Sequence, residues 1–101
     1  MTNINTFQGD VFIHEYIKHT GDENTYFGFN GNDSIVAYTG GNQAFEIDSN
    51  QYLYMASFMK HLGDNNTYFG FDTNDSYVIA TAANTRFSVN SSGQVHIYDG
   101  N

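Results

Sequence analysis

Lys18-His19-Thr20-Gly21-Asp22-Glu23-Asn24-Thr25-Tyr26-Phe27-Gly28-Phe29 returns 42 residues later as Lys60-His61-Leu62-Gly63-Asp64-Asn65-Asn66-Thr67-Tyr68-Phe69-Gly70-Phe71. From Lys18 to Thr39, 15 of 22 positions are identical to those from Lys60 to Thr81. A fixed period of this length marks a repeat architecture. The chain reads as one β-repeat domain: 1–13 as the end of a preceding repeat, 14–55 as one repeat, 56–101 as a second. The first span reads as a tail because Gly9-Asp10-Val11-Phe12-Ile13 matches Gly93-Gln94-Val95-His96-Ile97. The repeat also bears on function. A group that performs one chemical step is needed once, so a motif present in every copy builds the copy.

Around the motif, strand signals dominate. Thr25-Tyr26-Phe27-Gly28-Phe29 alternates, with Phe27 and Phe29 on one face and Tyr26 on the other. Phe45-Glu46-Ile47-Asp48 and Phe87-Ser88-Val89-Asn90 alternate apolar and polar, the pattern of a half-buried strand. Leu53-Tyr54-Met55 and Val95-His96-Ile97 continue it. Ser34–Thr39 and Ser76–Thr81 are continuously apolar inside, as expected of strands covered on both sides. Val11–Lys18 and its copy Leu53–Lys60 have some helical propensity but are too short to hold a helix, so they read as strand. Turn clusters rich in Asn, Asp, Gly and Ser separate the runs every eight to twelve residues. The fold class is therefore all-β: tandem repeats of about 42 residues and about four short strands each. The expected inward core is Phe27, Phe29, Phe45, Ile47, Phe69, Phe71, Phe87 and Val89.

Forty-two residues is near the size below which a lone core is insufficient, and repeats compensate by stacking on neighbours. Two copies fall short of the usual three. Either a longer parent chain supplies the missing core, or several chains wrap together; the composition favours the second, an intertwined trimer, a β-prism or β-helix fibre with each chain's phenylalanines turned to one axis. Closing the strands around the axis also removes open sheet edges. The formal charge is −8, with Lys18, Lys60 and Arg86 the only basic side chains. Phosphate backbones demand Lys and Arg, so neither nucleic acid nor an anionic membrane is an expected partner. No apolar run reaches the length of a membrane-spanning helix, and Met1-Thr2-Asn3-Ile4-Asn5 lacks the form of a signal peptide. The absence of Cys removes disulfides and leaves the redox compartment open.

His19 and His61, each with an aspartate three residues on, are weak candidates for metal ligands. The simpler expectation is an imidazole hydrogen-bonded to Asp22 or Asp64, tying down a turn at Gly21 or Gly63, with Thr25 and Thr67 leading into strands. His14 and His96 are not copied and are not expected to bind metal. Asp22-Glu23-Asn24-Thr25 and Asp33 lack the distal Glu of an EF-hand calcium loop and read as Asx turns. The tyrosines, Tyr16, Tyr26, Tyr38, Tyr52, Tyr54, Tyr68, Tyr77 and Tyr98, could stack on sugars, or pack across strands. No nucleophile–base pair and no phosphate-binding glycine loop is present, so no enzyme, cofactor or metal is expected.

The copied pattern Lys-His-x-Gly-Asp-x-Asn-Thr-Tyr-Phe-Gly-Phe, followed by Asn-Asp-Ser-x-Val-x-x-Thr, resembles the HxGDxxTyxxF repeat of tail-fibre and other virion structural proteins from marine bacteriophages. The resemblance covers residues 14–98 and ends at the strand Gly93-Gln94-Val95-His96-Ile97. It departs at Leu62, where the first copy has the polar Thr20, and at Gln51, where the second has Gly93. The resemblance implies a homotrimeric shaft or adhesin segment located in the virion, with itself as partner and a host-surface glycan or protein as a further one. The rival expectation is a monomeric carbohydrate-binding β-sandwich.

Overall fold

A computed structural model describes residues 4–98. Regular structure there is entirely β: β1 Tyr16–His19, β2 Asp22–Gly28, β3 Ile35–Thr39, β4 Asn42–Ile47, β5 Leu53–Met55, β6 Phe58–His61, β7 Asp64–Gly70, β8 Tyr77–Thr81, β9 Asn84–Val89 and β10 Val95–Ile97. Contacts divide the chain into two units, 1–55 and 56–101. Each unit holds one five-stranded antiparallel meander, in the orders β1-β2-β3-β4-β5 and β10-β9-β8-β7-β6. Every strand of the second sheet begins 42 residues after its counterpart in the first. The ends of the reading at residues 1–3 and 99–101 lie outside the described residues.

The turns explain where the strands stop. The β3–β4 link is the two-residue loop Gly40-Gly41, both at positive φ (57° and 82°). Two consecutive left-handed residues match the right-handed twist of the strands they join. Its copy uses Ala82 and Ala83 at φ 51° and 65°. Both loops are pinned from β2 or β7: Gly41 N donates to Asn24 O, and Ala83 N to Asn66 O, at 2.8 Å each. The β4–β5 turn is organised by Asp48, whose Oδ1 accepts from the amides of Asn50 (2.9 Å) and Tyr52 (3.1 Å). Asn90 does the same for Ser92 and Gln94 at 3.0 Å each. These are Asx turns, as the composition predicts.

Register assigns the faces. One row across the first sheet is Ile17, Phe27, Ala37, Phe45 and Met55, and a second is Ile35, Ile47 and Leu53. The second sheet repeats them as Met59, Phe69, Ile79, Phe87, Ile97 and Tyr77, Val89, Val95. The opposite face carries Tyr16, Gly28, Val36, Glu46 and Tyr54, with Lys18, Tyr26, Tyr38 and Gln43 beside them. Its copy carries Phe58, Gly70, Val78, Ser88 and His96.

Several expectations are corrected. There are five strands per unit, not four, because Leu53–Lys60 breaks at Ala56 and Ser57 into β5 and β6. In the first copy only Tyr16–His19 is strand, and Val11–Ile13 is unpaired. The strand that would pair with Val11–Ile13, as β4 pairs with β5, has no counterpart among the described residues. The residues of the expected core, which the trimer expectation turns to an axis between chains, lie largely open within the single chain. Phe27, Phe29, Phe45, Ile47, Phe69 and Phe71 are exposed, and Phe87 and Val89 are half-buried. The physical reason is that each unit is a single layer, so its apolar face has no second layer of the same unit against it. For the same reason β3 and β8 are covered on one side only. The buried apolar side chains are Val36, Val78 and Ala80, all on the tyrosine-bearing face.

Candidate functional site

The repeated motif folds into the β1–β2 and β6–β7 hairpins. Gly21 and Gly63 take φ of 84° and 85° at the turns, a conformation that glycine adopts without steric cost. His19 then lies opposite Asp22, and His61 opposite Asp64. In both copies His Nδ1 stands 3.5 Å from Asp Oδ2. All four side chains are well exposed, so each pair is a weak, screened contact. Thr25 lies within β2, not at its entrance, and its Oγ1 accepts from Gly40 N at 3.3 Å. The motif thus ties the hairpin tip to the next turn.

Two motif residues have a role that sequence reading missed. Lys18 sits opposite Tyr26 with Nζ 4.9 Å from the ring centre, and Lys60 sits over Tyr68 at 5.2 Å. Both are cation–π contacts across a strand pair. Gly28 and Gly70 are the other omission. A Cβ at Gly28 would run into the Glu15 carbonyl, and one at Gly70 into that of Ser57. Those carbonyls accept from Phe29 N and Phe71 N at 2.8 Å. Their copying inside the alternating runs Thr25–Phe29 and Thr67–Phe71 was the available signal, since glycine in such a run marks a close backbone approach.

The eight tyrosines do not form one surface. Tyr16, Tyr26 and Tyr38 stand in a row over the first sheet. The Tyr16 and Tyr26 rings meet edge-on at 4.8 Å, and Tyr26 and Tyr38 stack at 4.7 Å. Burial in this row, then the neighbouring Tyr26 and Tyr38, push the Tyr16 hydroxyl above its ordinary pKa. Gln43 lies beside the row, 3.5 Å from the Tyr38 hydroxyl and 3.4 Å from Glu46. Tyr68 pairs with Phe58 at 4.7 Å on the equivalent face, while Tyr77 belongs to the apolar face. Tyr54 donates from its hydroxyl to Asp48 Oδ2 at 2.8 Å. That bond, helped by the Tyr52 and Asn50 amides, holds the Asp48 carboxyl below its ordinary pKa despite partial desolvation. It holds the Tyr54 hydroxyl above its own.

Among the described residues, no three His, Cys, Asp or Glu side chains come together as a metal site. His14 and His96 are exposed. Asp48 organises a turn, whereas Lys18, Glu46, Lys60 and Arg86 lie within strands. What the arrangement offers is surface: an open apolar face on each sheet and a tyrosine row on the other face of the first. In comparisons with known proteins, no family model, no curated protein and no solved structure matches this chain.

Proposed function

We propose that this chain is a non-enzymatic structural segment of a phage tail-fibre or adhesin-like protein, a shaft or receptor-contact module that works as a homotrimer in the virion. The observation that carries the reading is the surface left open. A compact monomer of this mass exposes about 5,700 Å². This chain exposes 8172 Å². Even two separate compact bodies of half the mass would expose only about 6,900 Å². A chain with that excess is completed by association. Small copied units, Asx turns and hairpin tips held by short local contacts suit a passive shaft. Light scattering after gel filtration tests the reading. The expected mass is about 34 kDa, three times 11.3 kDa. A single chain's mass at all concentrations overturns it.

The row of Tyr16, Tyr26 and Tyr38 beside Gln43 and Glu46 favours a second reading, a monomeric carbohydrate-binding module. Aromatic rings next to an amide and a carboxylate suit a hydroxyl-rich ligand. The same mass measurement separates the two.

A further inference from the structure

We infer that the apolar face of each sheet, the one carrying Phe27 and Phe45 or Phe69 and Phe87, is the surface through which copies of this chain meet, and that the tyrosine face stays in solvent. The inference rests on the proposed self-association and adds which face performs it.

Comparing the units separates the two faces. At the eight strand positions of the apolar rows, only Phe27/Phe69 and Phe45/Phe87 are identical. The other six change, yet each stays apolar or aromatic: Ile17 to Met59, Ala37 to Ile79, Leu53 to Val95. The opposite face keeps Lys18, Tyr26, Gly28 and Val36 as Lys60, Tyr68, Gly70 and Val78, but elsewhere it changes chemical class. Tyr38 becomes Ala80, Glu46 becomes Ser88 and Tyr54 becomes His96. A face facing water tolerates such changes; one that must stay dry does not. No charged residue occupies any of the eight positions in either unit. Chains of charge −8 can therefore approach on this face without bringing carboxylates together.

Shape agrees. On the first sheet a groove of about 310 Å³ is lined by Ile17, Thr25, Phe27, Ala37 and Thr39. The second sheet has one of about 330 Å³ at the equivalent place, with Met59, Phe69 and Ile79. Each groove has an exposed phenylalanine, Phe27 or Phe69, as one wall, so an identical face presents the same apolar relief. Over two separate compact bodies the excess is roughly 1,300 Å² per chain, more than the ~800 Å² per partner of a standard interface. A lipid bilayer is the wrong occupant, because the longest strands have 7 residues, whereas spanning strands need about 9–11.

Leu53 and Tyr54 provide the test. They are neighbours in β5, lie on opposite faces, and are 59% and 51% exposed in the single chain. The chain has no Cys, so Leu53→Cys and Tyr54→Cys each carry one thiol. In the assembled protein, maleimide should label Leu53→Cys at least about tenfold more slowly than Tyr54→Cys, as for a site reached only by opening. The variant carrying both Phe27→Asp and Phe69→Asp should run at a single chain's mass. If the wild type assembles but both thiols react equally fast, or the double variant still assembles, this face is not the contact and the proposed association stands. A wild type that stays at a single chain's mass ends both. If the double variant does not fold, the thiol comparison alone decides.

Discussion

Ala82 and Ala83 hold a backbone conformation for which alanine is poorly suited, φ 51° and 65°. An L-residue with a Cβ pays roughly 1–2 kcal/mol there. The first copy meets the same geometry with Gly40 and Gly41. Ala83→Gly should therefore stabilise the second unit by about 0.5–1 kcal/mol, after the greater freedom of glycine in the unfolded chain is subtracted. Gly41→Ala should destabilise the first by a similar or larger amount. Denaturant midpoints check both, and a drop in stability on Ala83→Gly would show that the loop is not strained. Asp48 gives a second residue-scale expectation. Its folded pKa is lowered, chiefly by the Tyr54 hydroxyl. Its contribution is therefore fully present above the unfolded value of about 3.9 and is lost as pH falls through the folded value. Asp48→Asn should melt below wild type at neutral pH, and the gap should narrow as pH drops below about 4. A gap independent of pH would assign the loss to geometry alone.

The hairpins are the elements that the motif builds, and they are where the sequence was most and least legible. The alternation at Thr25–Phe29 and the Asn- and Gly-rich breaks placed most of the strands, because period-2 patterning and turn chemistry are local. The facing of Phe27 and Tyr26 was legible for the same reason. The break at Ala56-Ser57 was not, because neither residue is a strong turn former. The shared face of Phe27, Phe45, Phe69 and Phe87 was legible because alternation tells which residues share a face; what covers that face was not, because alternation says nothing about a second layer. Of the candidate site, the His19–Asp22 approach was legible from spacing, whereas Lys18 over Tyr26 depends on a register shift that spacing does not reveal. Two expectations belong to this scale. Gly70→Ala forces a Cβ against the Ser57 carbonyl and should cost about 1–3 kcal/mol by overpacking; an unchanged melting temperature would mean that β6 moves aside freely. The His61–Asp64 coupling, from a double-mutant cycle, should be below about 1 kcal/mol. Chelator should leave the melting temperature unchanged, and a substantial fall would restore the metal reading.

For the whole molecule, the proposed association links stability to concentration. The melting temperature should rise as protein concentration rises, because in the proposed assembly the unfolded chain is alone and the native one is not. Three chains bring a formal charge of about −24 together, three times −8. Raising salt from very low to about 0.1 M, where the screening length is about 10 Å, should stabilise the assembly. A melting temperature that ignores both variables would point to a self-sufficient monomer. The matched registers of the two sheets have a further consequence, for the gene and not for the protein. Since every strand boundary recurs at the same 42-residue step, misaligned recombination between the two coding copies adds or deletes one whole step and leaves each hairpin intact. The length of such an array is then heritable and adjustable in increments of one unit.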